Sequence, residues 1–534
     1  MAKRIIFSLI AIVTIALGLA WVSSGFTSLQ NGFLFLVLVL IGAGALWAGW
    51  WAVRAEAPAS TALPAWLAWL LIGAALLRLG AGVLWFVALP KWGYGGEAEM
   101  AGYVMADAFE RDVAAWDLAR SDLPLSAAFS EFRGDDQYGG LLFLSAVIYR
   151  FLGGEVHQPL QMVVITAAFS ALAVLFTWAF ARRIWDAHLA ALSAWIVALF
   201  PEAVLIGGSQ MREAFMMTLS MVAFYGLALA WYDHRRIGIG WMLAAFVFCL
   251  PLSPLFAVLL ALFLVVFALF SSQGRWLKNW RVWLVLLGIV VLVLVVITIL
   301  GDQLLPSNAS NPLVLLQRWL RQTARLQAIY TRQTSGWMQK VFRVIPKWSQ
   351  LWFLTGYGVV RPFLPAAIFD SAAPIWQAIA IWRSLGWALM LPFLIAAPFL
   401  AWKRQGFRSP EVGLSLMIWV GILVSSFRGG GDQSDNPRYR VAWIGLQAMI
   451  TAWVWITQRR DRSPWLRRAL VAMGLILIWW VPWYLRRVTS FEWPILNVFV
   501  TLGLGFLSTI IYLFFDVWWT KRHSKTADPG ELSS

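Results

Sequence analysis

Apolar runs of about twenty residues follow one another along almost the whole chain, and no other feature limits its folding choices as strongly. A backbone in hydrocarbon must satisfy its own N–H and C=O groups, so runs of this length fold as membrane-crossing helices. They stand at roughly 5–23, 31–53, 65–89, 160–181, 187–206, 210–232, 283–300, 376–402, 412–427, 441–457, 465–485 and 494–516. The apolar stretch 238–271 is broken by Pro251, Ser253 and Pro254 and has basic residues at both ends (Arg235 and Arg236; Arg275, Lys278 and Arg281). Basic flanks on both ends predict a hairpin of two short helices rather than one span. The expectation is an all-α polytopic membrane protein of about 12–14 transmembrane helices.

With 61% hydrophobic and 13% charged residues in 534, little chain is left for a soluble domain. The longest intervals between apolar runs, 90–137 and 301–350, are each about 50 residues, below the usual domain size. Soluble-enzyme and nucleic-acid-binding classes are excluded on this ground. The single cysteine, Cys249, lies in an apolar run, which removes disulfide frameworks and thiolate metal sites. The net charge of +16 belongs largely to short loops such as 403–408, 458–468 and 521–525. Such loops stay cytoplasmic, so both termini are expected inside a multi-pass cell-membrane protein.

Two longer connections then face outward, with interfacial helices expected in each. Segment 90–158 carries eleven acidic residues against five basic ones, while 301–375 carries eight basic against two acidic, so an acidic loop faces a basic one. Both have amphipathic periodicity: Val104, Ala108, Trp116 and Ala119 recur among carboxylates, and Leu315, Trp319, Leu326 and Ile329 among arginines. The expected organisation is two additional spans in 1–64, a core of 65–300 with its first external loop at 90–158, a basic loop at 301–375, and C-terminal spans in 376–534.

Arg78 and Arg383 lie well inside apolar runs, the other ionisable residues of the runs standing near their ends, so the ionisable chemistry gathers at one membrane face rather than along a central path. The triple glycine 429–431 lacks the context of a phosphate loop, and His157, His188, His234 and His523 have no metal-ligand spacing. Carboxylates opposite arginines suit a reaction in which a hydroxyl loses its proton and a phosphate departs. Guanidinium groups would hold that phosphate in bidentate contacts.

The stretch 137–231 resembles the membrane-embedded glycosyltransferases of the GT-C superfamily, relatives of protein O-mannosyltransferases and of aminoarabinose transferases that modify lipid A. The matching pieces are DQYGGLLFLSAVIYRFLGG from Asp136 to Gly154, the hairpin at 181–215 with Pro201 followed by Arg212 and Glu213, and the broken hairpin near Pro251–Pro254. Arg438, Tyr439 and Arg440 stand as that family's arginine-tyrosine pair does, where a late span begins. The resemblance implies a catalytic carboxylate in the first loop one turn before an aromatic residue. Asp112 with Trp116 fits best and Asp107 next, while Glu97, Glu99, Asp136 and Tyr138 are expected to contact substrate with Arg212, Glu213, Arg438, Tyr439 and Arg440. Asp135 and Asp136 fit equally as helix N-caps. It also implies a polyprenyl-phosphate sugar donor and a glycan, lipid or protein acceptor among the membrane lipids, and leaves a divalent cation open. The competing class is a non-catalytic transporter or polymerase-type assembly component for lipid-linked glycans.

Overall fold

The structure, a computed structural model, describes residues 2–24, 29–56, 63–271, 336–428 and 436–526, with positions 314, 317 and 321. The expected span 283–300, nearly all of the basic loop before residue 336 and the triple glycine lie outside the described residues. Those described form helices: α1 (Ala2–Ser24), α2 (Leu29–Ala55), α3 (Ala65–Trp92), α4 (Glu97–Met100), α5 (Ala106–Arg120), α6 (Gly140–Leu152), α7 (Leu160–Ile184), α8 (Ala187–Leu199), α9 (Pro201–Gly207), α10 (Arg212–Trp231), α11 (Ile237–Leu252) and α12 (Pro254–Ser271). After the interval come α13 (Gly336–Val344), α14 (Lys347–Val360), α15 (Leu364–Phe369), α16 (Pro374–Gln405), α17 (Pro410–Arg428), a 3-10 segment (Asn436–Trp443), α18 (Ile444–Asp461), α19 (Trp465–Val488) and α20 (Val498–Thr526). Among the described residues nine helices are long and apolar enough to cross a membrane, or ten if the bent pair α8–α9 is one span. The chain is an all-α polytopic membrane protein.

Lipid does not drive helices together as water does, so close packing through small residues carries the association. Gly42 and Gly49 of α2 meet Ala168 and Leu172 of α7, and Gly226 of α10 lies against Gly238 of α11, with no room for a Cβ at the Gly226 contact. Helices α7 and α10 form the centre, with 89% and 83% of their apolar windows buried.

The sequence breaks have identifiable consequences. Proline at 201 has no N–H for the carbonyl of Val197, and α8 and α9 meet there at a 55° bend. Arg78, wholly buried in α3, donates to Val197 O at 3.0 Å and Ala198 O at 3.4 Å, and so satisfies the carbonyls at the break. Arg78 is thus paired within the bundle by backbone carbonyls. Ser253, extended between Pro251 and Pro254, turns α11 back into α12, which is the expected hairpin. Its tip touches the start of α6, where Gly140 faces the Pro251 carbonyl.

The bundle has two chemically different ends. At one, ion pairs join helix termini beside the basic loops: Arg183–Asp233 at 2.9 Å, Arg235–Glu56 at 2.5 Å, Arg404–Asp461 at 3.3 Å and Arg468–Asp516 at 2.7 Å. At the other, α5 and α6 pack together where α3 ends and α7 and α10 begin. Arg150 of α6 donates to the carbonyls of Leu118, Ala119, Ser121 and Leu123, closing the C-terminal end of α5. The acidic loop is fastened at this same end to the start of α16, through the Glu99 carboxylate accepting from Trp376 Nε1 at 2.7 Å and Tyr94 Oη accepting from Ala373 N at 3.1 Å.

Candidate functional site

Helix α5 starts at Ala106, after Gly102 adopts a left-handed φ of +82° with the Phe86 backbone against it. The chain reaches Met105 extended and then turns into the helix, so Asp107 falls in the first turn. Asp112 is five positions on, which on an α-helix points it roughly 140° away from Asp107. The two carboxylates consequently sit in different surroundings.

Asp112 faces inward and is 2% exposed. Its carboxylate accepts from Tyr103 Oη at 2.6 Å and from Tyr149 Oη at 2.7 and 2.8 Å, and lies 2.9 Å from His157 Nε2. Trp116, the aromatic one turn later, stacks on His157 at 5.3 Å with Arg120 over the indole at 4.6 Å. Burial and the adjacent Asp112 carboxylate push the Tyr103 phenol well above its usual value, so it remains a proton donor. Two phenols, an imidazole and a stacked indole fill the space around this carboxylate.

Asp107 faces the other way, toward the 3-10 segment, and its side chain is 43% exposed. Arg438 grips it bidentately, Nη1 to Oδ1 at 3.0 Å and Nη2 to Oδ2 at 2.7 Å. Partial burial would raise its pKa, but Arg438 beside it, with Arg111 and Arg212 beyond, holds the carboxyl below its usual 3.8. Arg111 donates from Nη2 to the Asp107 carbonyl at 2.9 Å. Glu213, 2% exposed, places Oε1 3.8 Å from Arg212 Nε and 3.9 Å from Arg438 Nε, while its Oε2 has no hydrogen-bond partner. Two tyrosines complete the group: Arg212 stands over Tyr138 at 5.3 Å, and Arg428 and Arg438 over Tyr439 at 5.2 and 4.9 Å. Burial raises the Tyr439 phenol, and the arginines, chiefly Arg438 and Arg428, outweigh it and bring it below 10.0.

Four guanidinium groups, of Arg111, Arg212, Arg428 and Arg438, thus gather around two carboxylates among the described residues. The N-termini of α5 and α10 lie at the same place and add their positive dipole ends. Such a set is built to receive an anion. Among the described residues no three His, Cys, Asp or Glu side chains are grouped to hold a metal ion.

The other expected contacts divide. Asp136, buried, accepts from Leu141 N at 3.2 Å and Leu142 N at 3.1 Å, which is the capping alternative for this residue, at the start of α6. Glu99 accepts from Gly95 N and Trp376 Nε1 and fastens its loop to the start of α16. Glu97 is exposed at the first position of α4. Arg440 turns to the opposite side of the 3-10 segment from Arg438 and lies 3.4 Å from the centre of the Trp387 ring. Sequence reasoning missed Arg111, Arg428 and His157. Arg428 had a signal, since it ends an apolar run on the acidic side; His157 had none, being 45 residues from Asp112.

No family model matches the chain, and no curated protein does. Among solved structures, an archaeal oligosaccharyltransferase, AglB from Archaeoglobus fulgidus in complex with an inhibitory peptide and a dolichol-phosphate, is similar at 14% identity with a TM-score of 0.39, over 84% of this chain and 54% of that one. The Archaeoglobus fulgidus oligosaccharyltransferase tethered with an acceptor peptide containing the NVT sequon gives 13% identity and a TM-score of 0.39 over the same shares. The chain spans about half the length of these proteins.

Proposed function

We propose that the chain is a GT-C-type membrane glycosyltransferase, transferring a sugar from a polyprenyl-phosphate donor to an acceptor hydroxyl at the non-cytoplasmic face. The observation that carries this reading is the Asp107–Arg438 pair, a partly exposed carboxylate held bidentately among three further arginines. A phosphate arriving at Arg212, Arg428 and Arg438 offers these groups more charge than a single carboxylate and displaces Asp107 from Arg438. The freed carboxylate takes the acceptor hydroxyl proton as the oxygen attacks the anomeric carbon. The bond from that carbon to the phosphate oxygen breaks, and the electron pair leaves with the lipid phosphate, whose charge the arginines neutralise. A single displacement gives inversion at the sugar carbon. Asp107 is accordingly the base, with Asp112 a structural anchor for α5.

The test is transfer of radiolabelled sugar from polyprenyl-phosphate donors by the purified full chain in proteoliposomes. Wild-type protein is expected to transfer label to a lipid, glycan or peptide acceptor, and Asp107→Asn to lose about 10²–10⁴-fold in turnover. Passage of an intact lipid-linked sugar with no transfer from any donor would replace this reading with the non-catalytic one.

A further inference from the structure

Behind the 3-10 segment, away from the Asp107–Arg438 pair, positive charge gathers a second time. Arg440 stacks on the Trp387 ring at 3.4 Å, and Arg383, one turn before Trp387 on α16, pairs with Glu202 through both carboxylate oxygens at 2.7 Å. Trp387 Nε1 donates to Val359 O at 2.9 Å, which brings the chain leading to Arg361 to the same ring. Arg361 and Arg383 are near enough to repel Arg440, and Glu202 is the carboxylate near enough to attract it.

The charges do not balance. Both oxygens of Glu202 are taken by Arg383, and Arg440 makes no hydrogen bond or ion pair with a described residue. Its contact with the indole attracts the guanidinium through its face and leaves the in-plane N–H groups without acceptors. Ser384 has the same need: it is wholly buried, and its Oγ has no hydrogen-bond partner. On α16 the side chains of Arg383, Trp387 and Ser384 fall within an arc of about 100°, so the hydroxyl stands on the helix face that Arg440 covers.

A buried cation and a buried hydroxyl that both lack an acceptor are satisfied together by a group that carries negative charge and accepts hydrogen bonds. Enclosure sets its size. Arg383, Arg440, Glu202, Ser384 and Trp387 are each at most 4% exposed, and Gly386 closes on Pro201, where a Cβ would stand 2.6 Å from the proline ring. A phospholipid headgroup needs an opening for its glycerol; a monatomic anion needs none.

We propose that Arg440 and the Ser384 hydroxyl, with Arg383 and Arg361 beside them, bind chloride, which neutralises the surplus charge and is part of the fold. Arg440 is two residues from Arg438, so the ion also steadies the backbone that presents Arg438 to the site. This binding does not depend on the donor class.

The experiment is thermal unfolding of the purified full chain in detergent, in sodium chloride, bromide, phosphate or gluconate at equal ionic strength. Wild-type protein should melt about 2 °C or more higher in either halide than in gluconate, with a saturable dependence on halide concentration. Arg440→Gln should melt alike in halide and gluconate. Ser384→Ala keeps every charge, and should raise the half-saturating chloride concentration about tenfold, which tests the site even where Arg440→Gln does not fold. Arg428→Gln, in the cluster on the front of the segment, should keep the halide shift. Equal melting of wild-type protein in both halides and gluconate would overturn the inference, as would a shift in phosphate alone. A halide shift lost in Arg428→Gln and unchanged in Ser384→Ala would also overturn it, by putting the ion among the front arginines.

Discussion

At the scale of single residues, the site turns on two carboxylates five positions apart with opposite surroundings. Asp107→Asn keeps the shape of the side chain and removes the base, so turnover should fall while donor binding, carried by Arg212, Arg428 and Arg438, is retained. Asp112→Asn should act on stability instead. It loses charge-assisted bonds from Tyr103 and Tyr149, each worth about 1.5–3 kcal/mol, and thermal unfolding should show the loss. Wild-type melting of Asp112→Asn together with lost transfer would reverse the two roles. The pH dependence carries a sign. Asp107 must be ionised to act and its carboxyl is held below 3.8, so the acid limb of kcat/KM should lie below the ordinary carboxylate range. Arg438→Gln removes the main lowering group and leaves burial, so the limb should move to higher pH; an unmoved limb would mean that Asp107 is not the titrating base. In the sequence, Asp112 outranked Asp107 because Trp116 stands one turn after it. That spacing is real, but the indole stacks on His157, and the partners that enclose Asp112 come from positions 9, 37 and 45 residues away. No local pattern encodes such a network.

At the scale of elements, the breaks govern where the site residues point. The bend at Pro201 redirects the chain so that α9 ends and α10 begins beside α5, which delivers Arg212 and Glu213 to Asp107 and Arg438. Arg78 holds that bend by taking the carbonyls of Val197 and Ala198. Replacing it with methionine leaves both carbonyls without a partner in an apolar interior, at a cost of about 1–3 kcal/mol for each. Arg78→Met should therefore melt lower, and its loss of transfer should follow its loss of folded protein. A fully stable Arg78→Met would show that the break needs no such support. Apolar runs and prolines carried most of this level in the sequence: the hairpin at Pro251–Pro254 and the bend at Pro201 follow from residues that cannot donate a backbone hydrogen bond. What they could not carry is the partner of Arg78, since an arginine satisfied by carbonyls leaves no carboxylate to find.

At the scale of the whole molecule, the division into a basic end stitched by ion pairs and an end that gathers α5, α6 and the arginine cluster sets the orientation we propose, with the basic end cytoplasmic. The only cysteine, Cys249, is buried, so single cysteines can report on sidedness. An impermeant maleimide should label Gly134→Cys in intact cells and Arg460→Cys only after permeabilisation, and the converse pattern would invert the protein. Charge placement in short loops carries the proposed sidedness in the sequence, whereas the meeting of Asp107 with Arg438, 331 residues apart, depends on how the helices pack. The central claim is that this meeting point receives a lipid phosphate. The most direct measurement is a density map of the full chain with undecaprenyl phosphate bound. The account predicts phosphate oxygens about 2.7–3.2 Å from the guanidinium groups of Arg212, Arg428 and Arg438, with Asp107 released from Arg438. A phosphate bound at the basic end, or at any place that leaves the Asp107–Arg438 pair intact, would contradict it.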